Sequence, residues 1–219
     1  MHFFLRRSQA RILTTAFLAM TALGFPAMTA HASAGERRPS LDSSALNWRI
    51  PLRDRAGTGT AVSASAPLSL VPMVGGPRPP WLPCGPNDPR TKVIKTYVRP
   101  LSRSTDGTVF PSGAATLRCG NANGGYRHIV IRHRGEWRTN AARSEDIWLD
   151  LADFSITAAL TDPDRVTYSP RNDAFCFSRE IYLVNNRTGQ RVGYLVPNVV
   201  VGFGTLDVVT AIPKKEQCR

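Results

Sequence analysis

The sequence predicts an α+β domain in which N-terminal helices pack on an antiparallel sheet of four or more strands. Two stretches with helical spacing of apolar residues lie between residues 126 and 161, and short β-branched and aromatic segments follow from residue 165 onward. Helices followed by a run of strands are typical of α+β folds. A chain of 219 residues with 42% hydrophobic residues is long enough for one such core and too short for a large multidomain enzyme.

The first predicted helix begins at Tyr126, directly after the chain-breaking pair Gly124-Gly125. Alternation within residues 126–133 is also compatible with a strand. A stripe at helical spacing, Tyr126, Ile129, Val130 and Trp137, favours the helix.

A second helix is predicted from Ser144 to Asp162. Ser144 is a good N-cap, acidic residues at 145 and 146 suit the positive end of the helix dipole, and Asp162-Pro163 ends the pattern. Strands are predicted on both sides of the helices, at Lys92–Val98, Arg165–Tyr168, Phe175–Phe177, Glu180–Asn185, Arg191–Val196, Val199–Phe203 and Leu206–Ile212. Turns are expected at Ser104–Gly107 and at Asn185–Gly189.

Residues 1–34 have the pattern of a secretory signal peptide. Three arginines precede an apolar run, and the small-residue sites Ala30-His31-Ala32 and Ala32-Ser33-Ala34 follow it. A membrane anchor is the alternative, but Pro26 and the cleavage sites favour export, so we expect a secreted protein without stable membrane insertion after cleavage.

Residues 35–83 are rich in Pro, Ser, Gly and Ala and lack apolar periodicity, which predicts a disordered or extended linker. Short pieces such as Leu68–Val74 remain candidates for docking on the domain or for a pro-segment. The folded domain is predicted at residues 84–219.

Four cysteines, all beyond the signal peptide, fit an oxidising compartment. The chain has no C-x-x-C motif, so two disulfides are preferred over a zinc or redox site. Of three connectivities we expect Cys84–Cys119 with Cys176–Cys218, because each bond then ties a flank to an adjacent part of the domain.

The charge of the protein indicates an anionic partner. The chain carries +12, and three of its 28 basic residues but none of its 16 acidic ones lie in the signal peptide, which leaves +9. The excess concentrates around the first helix. Only Glu136 offsets six arginines there, which are Arg118, Arg127, Arg132, Arg134, Arg138 and Arg143.

Both histidines of the predicted domain, His128 and His133, lie among these arginines. One neutral and one protonated imidazole can cleave RNA without a metal, because the 2′-OH is an internal nucleophile. Arginines suit bidentate contact with phosphate. No carboxylate or cysteine joins the histidines at ligand spacing, and no Gly-x-Ser-x-Gly is present, so neither a metal or cofactor site nor a serine hydrolase is predicted.

The segment Gly124-Gly125-Tyr126-Arg127-His128-Ile129-Val130-Ile131-Arg132-His133, with Arg143 after it and Val209-Thr210-Ala211-Ile212-Pro213 near the end, resembles the ribonuclease A-like toxin domains of bacterial contact-dependent inhibition systems. Those domains belong to the broader group of barnase-, EndoU- and colicin-type ribonucleases. The resemblance extends from Cys119 to Pro213.

The resemblance implies catalytic roles for His128, His133, Arg143 and Thr210. It also implies phosphate contacts from the helix, for which Arg127, Arg132 and Arg138 are the candidates. Ile212 departs from the family pattern, where a tyrosine is expected, and removes one hydroxyl from the predicted site.

The leading hypothesis is therefore a secreted ribonuclease, with RNA as substrate and an acidic immunity protein as partner if it acts as a toxin. The alternative is a non-enzymatic basic module that binds an acidic polymer such as nucleic acid, teichoic acid or anionic lipid. A binder should tolerate His→Lys at both histidines, whereas a catalyst should not.

Overall fold

The computed structural model describes residues 45–51, 70–72 and 81–219. These belong to one compact unit, Leu41–Arg219. The predicted signal peptide and most of the predicted linker lie outside the described residues.

The fold is α+β, but the helices are central in the chain rather than N-terminal. In the described residues six strands precede them: β1 Leu46–Pro51, β2 Leu70–Pro72, β3 Val93–Arg99, β4 Ser102–Arg103, β5 Val109–Phe110 and β6 Gly113–Arg118. Two helices follow, α1 Tyr126–Ala141 and α2 Trp148–Thr161, joined by a 3₁₀ turn at Ala142–Ser144. The last five strands are β7 Arg165–Ser169, β8 Ala174–Ser178, β9 Ile181–Asn185, β10 Arg191–Gly202 and β11 Val208–Lys214.

The main sheet is antiparallel and has β10 as its central strand. Its order is β2-β1-β9-β10-β8-β7, and β11 pairs with β10 as well. The first half of β10 pairs with β9, and its second half pairs with both β8 and β11. The pairs β3–β6 and β4–β5 form two smaller sheets.

The strand β10 was predicted as two strands because Pro197 interrupts it. In the structure Pro197 lies directly opposite Pro213 of β11. Residues at alternate positions of β11 turn their backbone groups away from β10, as the Ala211 carbonyl does when it accepts from Trp137. The two prolines therefore face each other at a non-hydrogen-bonded pair, neither removes a β10–β11 hydrogen bond, and the strand continues.

The predicted linker contributes two strands to the main sheet. β1 pairs with β9, and β2 pairs with β1. Trp48 of β1 and Trp81 at the end of the predicted linker are both buried in the core. At Trp48 and Trp81 the predicted linker is packed on the domain, because both side chains are covered by the elements that follow.

The second helix begins three residues later than predicted. Glu145 adopts a left-handed backbone conformation with φ of 58°, which ends the 3₁₀ turn, and Ile147 is the N-cap of α2. Ser144 therefore does not cap this helix. Asp153 in the middle of α2 accepts hydrogen bonds from Trp81 Nε1 and Tyr97 Oη and pairs with Lys95 Nζ, which fixes α2 against β3.

Two disulfides join the predicted cysteine pairs, Cys84–Cys119 and Cys176–Cys218. The first ties the segment before β3 to the loop before α1. The second ties the C-terminus to β8, where Cys218 N also donates to Ser178 Oγ. Among the described residues no helix is long and apolar enough to cross a bilayer.

A buried arginine connects β1 to the hairpins that follow the helices. Arg179 is fully buried, and its Nη1 lies 3.1 Å from Asp162 and 2.9 Å from Asp164. Its Nη2 donates to the Pro51 carbonyl at 2.6 Å. A buried charge is tolerated when it is both paired and hydrogen-bonded, as here.

Replacing Arg179 with methionine should lower the free energy of unfolding by about 3–5 kcal/mol, because it removes the buried guanidinium that pairs with Asp164 and donates to the Pro51 carbonyl. Urea denaturation followed by circular dichroism measures this. The matched control is Arg171→Met, an exposed arginine in the β7–β8 turn, which should change stability by less than about 0.5 kcal/mol. Equal stabilities of the two variants would contradict a structural role for Arg179.

Candidate functional site

The loop before α1 is closed by glycines that no other residue can replace. Gly120 and Gly125 have φ of +64° and +81°. A Cβ at Gly120 would lie 1.9 Å from the Gly124 oxygen, and a Cβ at Gly125 would lie 2.7 Å from the Arg118 oxygen. The tight loop fixes where α1 begins, and hence where both histidines lie.

Helix α1 then runs along an edge of β11. Gly125 N donates to the Val209 carbonyl at 2.9 Å, and the indole of the fully buried Trp137 donates to the Ala211 carbonyl at 3.1 Å. These strand carbonyls point away from β10 and would otherwise be unpaired. The helix therefore lies beside the strand that carries Thr210.

The structure brings the two histidines together. Their ring centroids are 5.3 Å apart at an interplanar angle of 67°. His128 Nδ1 lies 2.8 Å from the Ala122 carbonyl oxygen, and His133 Nδ1 lies 3.1 Å from Glu136 Oε2. A carbonyl and a carboxylate only accept hydrogen bonds, so each Nδ1 carries a proton and each Nε2 remains for chemistry.

The surroundings of His133 lower its pKa from the usual 6.5. Burial of the imidazole is the largest cause, and the electrostatic interactions with His128 and Lys214 lower the pKa further. The hydrogen bond and negative charge of Glu136 oppose them. His133 is therefore neutral at pH 7, with Nε2 free to accept a proton.

The arginines of α1 divide between two flanks of the helix. At about 100° per residue, Arg132 projects on the flank of His128, His133 and Glu136. Arg134 and Arg138 project on the other flank. All three of these arginines are exposed, and none forms an ion pair with a carboxylate among the described residues.

Arg127, which the sequence predicts to contact phosphate, has a structural role. Its guanidinium donates to the carbonyls of Gly120, Gly85, Pro86 and Asp88. These bonds hold the loop after Cys84 against the start of α1 and leave Arg127 committed to the fold.

Arg143 lies at the far end of α1, in the 3₁₀ turn rather than in a helix. Its guanidinium is 5.7 Å from the Trp48 ring and contacts Gly193, where an added Cβ would lie 2.1 Å from Nη2. It also lies near Lys215 and, after burial, is the second cause that lowers the pKa of that lysine. Arg143 has no ion pair with a carboxylate in the part of the chain that the structure describes.

Thr210 lies in β11 with only 8% of its surface exposed. Its Oγ1 is buried and has no hydrogen-bond partner among the described residues. Ile212 and Lys214 follow on the same side of the strand. Lys214 therefore lies on the same side of β11 as Thr210 and is close enough to His133 to lower its pKa.

Of the four predicted catalytic residues, then, the structure joins two. Within residues 81–219 no hydrogen bond or ion pair connects Arg143 or Thr210 to either imidazole. Arg143 and the lysines at 214 and 215 instead form a cationic border at the end of β11.

Sequence reasoning missed two residues of this site. Glu136 was treated only as a countercharge, although its position three residues after His133 is the helical spacing for contact. Lys214 had no signal in the sequence, because its proximity to His133 depends on α1 lying along β11.

The described residues include one cluster of potential metal ligands, Cys84, Asp88 and Cys119. Both cysteine sulfurs are already joined in a disulfide, so no thiolate is available there. Asp88 instead pairs with Lys92 and accepts from Gly85 N.

The chain is similar to two proteins of Mycobacterium tuberculosis, Rv0739 of strain H37Rv and MT0764 of strain CDC 1551, both named as uncharacterized proteins. Each is 31% identical to it over 174 residues. The alignment covers 74% of this chain, which spans 62% of the length of these relatives. No family model matches the chain.

Charges beside His133 should move its pKa in opposite directions. Glu136→Gln removes a negative charge and should lower the pKa of His133, whereas Lys214→Met removes a positive charge and should raise it. Histidine NMR titration measures both shifts.

Lys215→Met is the matched control for these titrations, since Lys215 is beside Arg143 and is not among the main causes of the His133 pKa shift. Shifts of the same sign in the Glu136 and Lys214 variants would contradict this geometry.

Proposed function

We propose that this protein is a secreted, metal-independent ribonuclease that cleaves RNA by transesterification. One observation carries the proposal: two imidazoles 5.3 Å apart, each held through Nδ1 by an oxygen acceptor, with both Nε2 atoms left for proton transfer. The two disulfides support an extracytoplasmic location.

His133 is the general base in this proposal, because its lowered pKa keeps it neutral at pH 7. Its Nε2 takes the proton of the ribose 2′-OH as the 2′-oxygen forms a bond to phosphorus. His128 Nε2 gives its proton to the 5′-oxygen as the P–O5′ bond breaks. The products are a 2′,3′-cyclic phosphate and a 5′-hydroxyl, and no oxidant, metal or water is consumed in this step.

Cations beside the histidines suit the charge that develops on the phosphate. Arg132 shares the histidine flank of α1, and Lys214 lies close enough to His133 to affect its pKa. Positive groups fixed near the phosphate stabilise the transition state more than the ground state. Arg143 and Thr210 enter the proposal through the family resemblance, with Arg143 at the border of the site.

A toxin role follows from the same resemblance and is part of the proposal. A cell that makes such a ribonuclease needs protection from it. An acidic immunity protein that covers the exposed arginines of α1 and the histidine pair would suit this charge distribution.

The second candidate function is binding of an acidic polymer without catalysis. It is favoured by three exposed arginines of α1, Arg132, Arg134 and Arg138, which lack carboxylate partners among the described residues. Binding alone needs their charge and does not need the histidines.

Alanine at either histidine should reduce single-turnover cleavage of total RNA, measured in EDTA, by about 100-fold to 10,000-fold, the usual contribution of one general acid or base. Circular dichroism checks that the fold is retained. Arg171→Ala serves as a control with unchanged cleavage.

Lysine at both positions 128 and 133 separates the two functions. A ribonuclease loses cleavage in this variant although the positive charge is kept, whereas a polymer-binding module keeps its binding. Absence of cleavage by the unsubstituted protein, or equal cleavage by the alanine variants, would contradict the ribonuclease proposal.

A further inference from the structure

A pocket of about 610 Å³ lies beside the loop that carries Ala122. It is lined by residues of that loop, by the start of β11 and by two arginines. Its volume is in the range of small-molecule sites. None of its lining residues takes part in the proposed proton transfers.

The two arginines give the pocket a positive edge. Arg118 is held by Asp207 through Nε at 2.8 Å and by the Thr91 carbonyl through Nη1 at 2.9 Å. Its Nη2 makes no hydrogen bond to the described residues. Arg90 is exposed, and its side chain has no hydrogen-bond or ion-pair partner in the described part of the chain. Two guanidinium groups beside one carboxylate leave the pocket net positive.

The rest of the lining combines apolar surface with amide groups. Val209 supplies the apolar part, because its side chain is partly exposed whereas Val208 is buried in the core. Asn121 and Asn123 also line the pocket, and Asn121 Oδ1 already accepts from Asn123 N, which leaves the Asn121 amide nitrogen as a donor. A ligand that fits has a flat or apolar part with hydrogen-bonding edges, together with an anionic group.

The pocket is connected to the histidine pair by a single residue. Ala122 lies between Asn121 and Asn123, which line the pocket, and its carbonyl holds the ring of His128. A ligand in the pocket and a phosphate at the histidines would therefore both lie next to the same glycine-closed loop.

We propose that this pocket binds one nucleotide of the RNA substrate, with its phosphate at Arg90 and Arg118 and its base against Val209 and the asparagine amides. The inference rests on the proposed function for the identity of the polymer. It adds a subsite that selects and positions a nucleotide adjacent to the one that is cleaved.

Binding is measured by calorimetry with ligands that cannot be cleaved, so its outcome does not depend on catalysis. The ligands are a 5′-nucleoside monophosphate, a 2′-deoxy tetranucleotide, the free nucleoside and inorganic phosphate. Amide NMR shifts of Asn123 and Gly124 locate the site. The protein is used both unsubstituted and with alanine at His128 and His133.

The monophosphate and the tetranucleotide should bind, shift the amides at 123 and 124, and bind about tenfold more weakly or worse to Arg90→Ala, which loses a charged contact. Arg171→Ala should bind as the unsubstituted protein does. Because the Arg90 side chain has no partner among the described residues, its replacement leaves the fold intact.

Binding that is unchanged in Arg90→Ala, or amide shifts confined to the histidine flank of α1, would overturn the proposal. Inorganic phosphate binding as tightly as the monophosphate would also overturn it, because the pocket would then be a simple anion site. If nucleotides bind as expected while the protein cleaves no RNA, the pocket stands and the ribonuclease proposal falls.

Discussion

The contact between α1 and the edge of β11 determines where the candidate site lies in this fold. β11 has an edge whose carbonyls would be unpaired, and α1 covers them with a backbone donor at Gly125 and an indole donor at Trp137. Because the helix begins at a loop that only glycines can close, its position along the strand is fixed. The placement of His128 and His133 beside the end of β11 follows from these contacts.

This arrangement explains why the basic residues of one helix have different roles. Arg127 holds a distant loop through its carbonyls, Arg132 lies with the histidines, and Arg134 and Arg138 face away from them. The arginines of α1 therefore fall into three groups. Arg127 stabilises the fold, Arg132 lies on the histidine flank, and Arg134 and Arg138 form a separate exposed surface. Lys214, which lies 81 residues after His133 in the chain, is close enough to lower the pKa of that histidine.

The sequence was informative where local pattern decides the structure. The apolar stripe of α1, the hairpin after β9 and the cysteine pairing are all present as predicted. The sequence did not predict the features that depend on contacts between distant parts of the chain. β1 is a short strand in a Pro- and Gly-rich stretch, and it forms because β9 pairs with it and Trp48 is buried. The role of Arg127 was hidden because its acceptors are backbone carbonyls, which leave no mark in sequence.

The central claim is that two imidazoles at one point transfer protons to and from RNA with no metal. ³¹P NMR of the products of a short RNA, incubated with the protein in EDTA, tests this most directly. The account predicts a 2′,3′-cyclic phosphate and a 5′-hydroxyl terminus, and no reaction of the same sequence when the 2′-OH at the cleaved position is replaced by hydrogen. A 5′-phosphate terminus, or cleavage of the 2′-deoxy substrate, would contradict it.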